Sequence, residues 1–180
     1  MQMTYNTDRL ILNILHQNDA DKVLSFYEKN KEQFEPWESE RDTNFYTIPY
    51  HRLTLSLEYN LMLQSKLLRF WIFHHDDPQT IIGSINFYSI NRGSYSSCQL
   101  GYKIDQNHTG NGYALEGVQA SMGILFEEHH LHRVEANIMP RNLQSIKLIE
   151  KLGFTYEGLA KSSIKINGTW EDHARYAFLF

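Results

Sequence analysis

Residues 104–117 read IDQNHTGNGYALEG, the end of an apolar strand running into a glycine-rich turn that opens an amphipathic helix. That order builds an anion site. Gly110 and Gly112 permit positive φ and a close backbone approach, and the first-turn N–H groups of the following helix have no intrahelical partner. Phosphate is the natural occupant. Two familiar phosphate loops are excluded by what is missing. No GKS or GKT follows the glycines, so the lysine and hydroxyl of a nucleoside triphosphatase loop are absent, and Leu115 stands where GxGxxG spacing needs its third glycine. The loop also follows about a hundred residues of chain, whereas a dinucleotide fingerprint follows the first strand of its fold.

Working outward from the loop, three strands are expected before it, at Leu67–His74, Ile81–Ser89 and Ser96–Ile104, separated by the turn-forming stretches DDPQ and NRGS. After it, Leu115, Val118, Met122, Leu125 and Phe126 recur at three- and four-residue steps and define a helix ending near His129. A strand at Arg133–Ile138 and a helix at Asn142–Lys151, stopped by Gly153, come next. Phe154–Ile166 and Thr169–Leu179 then form a hairpin around Asn167-Gly168. Before all of these, Leu10–Leu15 reads as an edge strand, and Asn18 or Asp19 caps a helix with Val23, Leu24, Phe26 and Tyr27 on one face. Phe34–Tyr50 is irregular and rich in aromatics, and yields to a helix over His51–Gln64. The expectation is a single α+β domain over residues 1–180. Its sheet is mostly antiparallel, with one crossover helix between adjacent strands.

A length of 180 residues with 42% hydrophobic side chains suits one domain with a sizeable core. The formal charge of -4 argues against a nucleic-acid or anionic-membrane surface and suits a cationic substrate such as an amine. Apolar runs fall well short of the ~20 residues that span a bilayer. Cys98, the single cysteine, cannot form an internal disulfide, and residues 1–10 lack an apolar signal segment, so a cytoplasmic protein is expected. Cys98 also lacks a recognisable base partner, so a small buried residue is a better reading than an acyl-carrying nucleophile. The dense histidine stretches His74-His75-Asp76-Asp77 and His129-His130-Leu131-His132 lack metal-ligand spacing, and no metal is expected.

Taken in series, LGYKI, TGNGYALEG, HRVEANIMPRNLQSIKLIEKLGFTYEG and ING-W-ED-H resemble the GCN5-related N-acetyltransferase (GNAT) superfamily, and within it the RimJ/RimL-type acetyltransferases of protein N-termini. The likeness runs from TDRLIL to the final strand. It implies a central sheet with a V-shaped splay between two parallel strands, and acetyl-CoA as co-substrate. Against the family's Gln/Arg-x-x-Gly-x-Gly/Ala signature, Thr109 takes the first position, Gly112 the glycine and Ala114 the small residue. Gly110, Asn111, Gly112, Tyr113 and Ala114 are then expected to cradle the pyrophosphate, and the backbone of Tyr102, Lys103 and Ile104 to pair with the pantetheine arm. Asn142 and Ser145 match the family's Asn-x-x-Ser. Asn142 also suits the N-cap of its helix. Where many relatives carry a tyrosine that protonates the CoA thiolate, this chain has Ile149, which leaves Ser145 as the candidate acid.

Acetyl transfer to an amine needs the neutral amine, a stabilised oxyanion and a proton for the leaving thiolate. An α-amine of pKa ~8 costs about 1 to 1.5 kcal/mol to deprotonate at pH 7, against about 4.5 for a lysine near ~10.4. An N-terminal acceptor thus needs little help from a base. Glu135 and Glu116 are the candidates, since Ile164 stands where some relatives place an acid. Asp172 is expected to shape the site. In relatives the irregular segment walls the acceptor groove, which implicates Phe34, Trp37, Phe45, Tyr46 and Tyr50, with Glu35, Glu38 and Glu40 drawing in a cation; a satellite cluster beneath a loop would use the same aromatics. The expected partner is an amine acceptor, with a protein N-terminus first among them, and no nucleic acid or membrane; the protein would be a monomer or homodimer. Two alternatives stand beside this reading. One is an acetyltransferase of a small amine (polyamine, amino acid or aminoglycoside), the other a non-catalytic acyl-CoA-binding module.

Overall fold

The computed structural model describes residues 2–180. Eight strands form one sheet in the order β1-β2-β3-β4-β5-β6-β8-β7. They are β1 (Thr4–Asn6), β2 (Leu10–Asn13), β3 (Leu68–His74), β4 (Asp77–Asn91), β5 (Ser97–Ile104), β6 (Arg133–Ile138), β7 (Thr155–Ile166) and β8 (Thr169–Leu179). Every neighbouring pair is antiparallel except β5 and β6. The helices are α1 (Ala20–Lys29), α2 (Lys31–Phe34), α3 (Ile48–Leu63), α4 (Tyr113–His129) and α5 (Leu143–Lys151). α4 makes the crossover that a parallel pair requires.

Helices cover both faces, so the central strands are buried on both sides and read as near-continuous apolar runs. β3 shows this clearly. Its Leu68, Phe70 and Ile72 enter a core shared with Val118, Leu125 and Ile149 of α4 and α5, whereas Trp71 and Phe73 enter a second core with Val23, Phe26, Tyr27 and Leu55 of α1 and α3. Alternation of side chains along a strand is what sends neighbours into different cores. At the far hairpin, Asn167 (φ 43°) and Gly168 (φ 81°) both take the positive φ that a tight two-residue turn demands.

Three expectations are corrected. The strand at Leu10 is not the edge, because β1 pairs outside it with Tyr5 opposite Leu12; Thr4–Asn6 is too short and polar to announce itself. The third helix begins at Ile48 rather than His51. Thr47 caps it by accepting from the Tyr50 N–H at 3.4 Å, and Pro49 sits in the first turn, where its missing N–H costs nothing. The segment before it is less irregular than its composition suggests, with α2 and a 3₁₀ turn at Glu35–Trp37.

The parallel contact is short. Ser97, Cys98 and Gln99 pair with Arg133, Val134 and Glu135, and there the pairing stops. β5 continues to Ile104 against β4, and β6 to Ile138 against β8, so the two strands diverge from Leu100 and Ala136 onward. This wedge in the sheet positions everything that follows.

Candidate active site

At the far end of β5 the chain turns through Gln106–His108 into the glycine loop. Gly110 (φ 79°) and Gly112 (φ 80°) both occupy the left-handed region, and nothing lies within 4 Å of where a Gly110 Cβ would stand. The Glu116 N–H already bonds to the Gly112 carbonyl at 3.0 Å, which leaves the N–H groups before it to an external acceptor. The loop is hung from a buried acid. Asp105 accepts from the Asn107 N–H at 2.9 Å and Asn30 Nδ2 at 3.1 Å, and pairs with Lys29 at 2.7 Å and His108 at 3.1 Å. Burial opposes its charge, but these partners overcome that and pull its pKa down to about 2. On the other side, Arg9 donates to the Asn111 carbonyl at 3.0 Å and lies 4.8 Å from the Tyr113 ring centroid. A backbone cradle with a guanidinium beside it fits a pyrophosphate.

Across the wedge, on the face carrying α1 and α3, lies a groove of about 430 Å³. Tyr88, Lys103, Asn137 and His173 line it from four strands, and the segment 37–45 closes it with Trp37, Glu38, Arg41 and Phe45. That segment is fastened to the β7–β8 hairpin. Ser39 Oγ donates to the Lys165 carbonyl at 3.2 Å and Asn167 Nδ2 to the Glu35 carbonyl at 2.6 Å. Of the aromatics expected there, Trp37, Phe45 and Tyr50 line the groove, Tyr46 packs against the second core and Phe34 belongs to it. Arg41 is wrapped by rings, 4.1 Å from the Phe45 centroid and 4.9 Å from that of Tyr27.

The carboxylates nearby are engaged. Burial resists the ionisation of Glu38, but ion pairs with Lys103 and Arg41 outweigh it and hold its pKa below the usual range. Glu135 takes a hydrogen bond from Arg133 Nε at 2.6 Å and another from Gln99 Nε2, whose own carbonyl accepts from Asn137 Nδ2 at 2.8 Å. Glu116 lies at the phosphate loop, away from the groove. Thr7 Oγ1, the Arg9 N–H (2.9 Å) and Arg9 Nε (2.7 Å) all donate to it, and against the cost of burial they lower its pKa. Cys98 is sealed in the core at 1% exposure, and burial with the nearby Glu135 charge pushes its thiol up to about 12. That is the wrong direction for a nucleophile.

On the opposite face of the wedge, α5 begins beside β5. Asn142 Oδ1 accepts from the Ser145 N–H at 3.1 Å, the N-cap bond its residue type suggested, and Tyr102 Oη donates to the Ser145 carbonyl at 3.3 Å. Asn142, Ser145 and Tyr102 thus form one group, while Thr109 turns inward, its Oγ1 donating to the Gln106 carbonyl at 3.0 Å.

A glycine-rich loop at one end of a splayed parallel pair, with a groove across the wedge, is the setting in which a match to a known domain is found. Residues 9–155 fit the family model described as an acetyltransferase (GNAT) domain. The chain belongs to the GNAT acetyltransferases. It is 35% identical over 167 residues to the [ribosomal protein uS5]-alanine N-acetyltransferase of Escherichia coli (strain K12), covering 93% of this chain and 86% of the relative. It is 28% identical over 120 residues to the ribosomal-protein-serine acetyltransferase of the same organism, covering 66% of this chain and 65% of that one. Among solved structures, the ribosomal-protein-S5-alanine acetyltransferase from Vibrio fischeri superposes with a TM-score of 0.93 at 26% identity, over 99% of this chain and 97% of that one. As a GNAT enzyme the protein is an N-acetyltransferase that uses acetyl-CoA.

Several residues at this GNAT site were not singled out as site residues from the sequence. Arg9, Gln99, Asn137 and His173 are scattered over three strands and the turn before β2, and nothing in a linear reading joins them. Period-2 alternation carries part of the signal: Gln99, Gly101 and Lys103 share one face of β5, as Glu135 and Asn137 share one of β6.

Proposed function

We propose that this N-acetyltransferase acts on the N-terminal α-amine of a protein, with a ribosomal-protein-like acceptor, by direct transfer from bound acetyl-CoA. The observation that carries the reading is the acceptor-side groove, walled by Trp37, Phe45 and Tyr50 and bearing Glu38, Glu40 and Asp42 against Arg41 and Lys103. It offers ring faces to a peptide and an acidic excess to its ammonium group. The identity to a uS5-alanine N-acetyltransferase supports the same class of acceptor.

In this reading Gly110, Asn111, Gly112, Tyr113 and Ala114 hold the pyrophosphate, and the backbone of Tyr102, Lys103 and Ile104, which β6 leaves free, pairs with the pantetheine amides. Thr109 serves through its place in the loop, and Asn142 by fixing the start of α5. Ser145 supplies the proton for the thiolate. Glu116 anchors the phosphate loop to β2 through Arg9, and Glu135 orients Gln99 and Asn137 at the apex of the wedge.

The test is CoA release, followed with a thiol reagent, from acetyl-CoA in the presence of peptides beginning with alanine or serine, polyamines and aminoglycosides. Turnover on peptides alone is the expected result. Turnover confined to a small amine replaces the acceptor class, and tight acetyl-CoA binding without turnover on any acceptor favours a binding module.

A further inference from the structure

We infer that His173 is the general base of the transfer, an assignment that rests on the acetyltransferase reading above. His173 lines the acceptor groove from β8, on the same face of the sheet as Asn137, yet is only 4% exposed. Its Nδ1 lies 3.1 Å from the Glu171 carbonyl and 3.4 Å from Ser163 Oγ. A carbonyl only accepts, so the neutral ring carries its hydrogen on Nδ1 and its lone pair on Nε2. The hydrogen bond therefore fixes the tautomer that a base requires.

The backbone around the histidine is built for this. Between Ala160, opposite His173, and Ile164, opposite Glu171, β7 carries more residues than β8, and Ser162 absorbs the excess at φ 45°. This bulge brings Ser163 Oγ to the ring. The Ser162 N–H donates to Asp172 Oδ1 at 2.8 Å, and Glu171 is drawn off to Arg141 at 3.0 Å. Glu38 is held by Arg41 and Lys103, and Glu40 and Asp42 lie on the closing segment at the groove's outer wall, whereas His173 rises from the sheet on the same face as Asn137, at the floor.

The proton balance closes. The acceptor ammonium gives one proton to His173 Nε2, which releases it to solvent, and the freed lone pair forms the N–C bond at the thioester carbonyl. Collapse of the tetrahedral adduct breaks the C–S bond. The second amine proton is lost from the adduct, and through Ser145 the CoA sulfur gains one, giving amide, CoA thiol and one proton in solution.

His173→Asn tests this, because the Asn Nδ2 can replace Nδ1 as donor to Glu171 while nothing replaces Nε2. The expected result is a kcat lower by roughly 10²- to 10⁴-fold with unchanged acetyl-CoA affinity, since that is the usual worth of a general base. Imidazole in the buffer restores part of the rate. His173→Gln, which reaches toward Nε2 without its basicity, is equally slow. In both variants kcat rises about tenfold per pH unit, as hydroxide takes over, and the limb that reports the base in the ternary complex disappears. The titratable and charged groups around the histidine are unchanged in both variants: Glu38, Glu40, Arg41 and Asp42 from the closing segment, Tyr27 and Tyr50 from α1 and α3, Tyr88 and Lys103 from β4 and β5, and Glu171 from its own strand, with neutral Asn137 and Ser163 from β6 and β7. A variant with wild-type kcat, or a slow one with an unaltered pH limb and no rescue, overturns the assignment alone. A wild-type protein that acetylates no amine overturns the acetyltransferase reading and the assignment with it.

Discussion

Replacing Asp105 by asparagine should cost both stability and co-substrate affinity, and the size of the stability loss should depend on pH in a defined way. The side chain is fully buried, and its pKa falls from an ordinary 3.8 to about 2. At about 1.4 kcal/mol per unit, that difference contributes about 2 kcal/mol of stability at neutral pH. The folded pKa is the lower one, so the contribution is full above about pH 5 and is lost as pH falls toward 2, with about half gone at pH 3. Asparagine keeps an oxygen for the Asn107 N–H but turns a donor toward Lys29 Nζ and Asn30 Nδ2, which both donate to Oδ2. Urea unfolding of the two proteins from pH 7 to pH 3 should therefore show a gap of about 2 to 4 kcal/mol that narrows by about 1 kcal/mol at the acid end. Because the same carboxylate suspends Asn107 and His108, calorimetric titration with acetyl-CoA should show about tenfold weaker binding, equivalent to about 1.4 kcal/mol. A gap that stays constant with pH refutes the linkage, and unchanged affinity refutes the claim that Asp105 orders the loop.

Gly83→Ala should lower Tm by about 4 to 8 °C, because the new Cβ would lie 2.6 Å from the Lys103 carbonyl oxygen, a backbone atom on the strand assigned to pantetheine; an unchanged thermal melt would contradict this. Ser145→Ala should reduce kcat by about 10²-fold while leaving the Kd for acetyl-CoA within twofold, as single-turnover kinetics would reveal. Glu38→Gln should raise KM for a cationic peptide by roughly three- to tenfold with little change in kcat, and the difference should shrink at high salt. Equal KM values at low salt would show that the groove's charge does not select its acceptor.

The parts of the fold written as periodicity or punctuation were legible in the sequence. α4 follows from the Leu115–Val118–Met122–Leu125 stripe, the last hairpin from Asn167-Gly168, and the sharp turn into α4 from two glycines that both take positive φ. What was hidden is pairing across distance. β1 has three residues and no apolar signature, yet it covers β2 because Tyr5 packs edge-on against Phe70 at 5.7 Å. The start of α3 was masked by Pro49, which reads as a breaker until its place in the first turn is known. Likewise Glu116 and Glu135 read as candidate bases, but they are engaged by Arg9 and Arg133, and no local rule states that these arginines claim them. His173 is a single histidine in a strand. Its tautomer, and hence its chemistry, depends on the backbone carbonyl of Glu171, two residues back on the same strand, which no side-chain pattern announces.

The way the sheet is split also limits the chemical route. Along β5, Cys98, Leu100 and Tyr102 face the core that holds α4 and α5, whereas Gln99, Gly101 and Lys103 face the groove. β6 repeats the division with Val134, Ala136 and Ile138 against Glu135 and Asn137. A side chain on either strand therefore reaches one face or the other. The glycine loop and Ser145 lie on the α4–α5 side and His173 on the α1–α3 side, so the proposed thiolate acid and the proposed amine base approach the wedge from opposite faces. Such an arrangement suits a ternary complex, in which donor and acceptor meet in the gap between β5 and β6 and the acetyl group passes directly between them. A covalent relay would need a nucleophile on the gap itself, and the one cysteine faces the core just before the strands part, its thiol raised to about 12. A sequential mechanism follows as a kinetic expectation: initial-rate patterns should intersect, and parallel lines, the mark of an acyl-enzyme, would refute direct transfer.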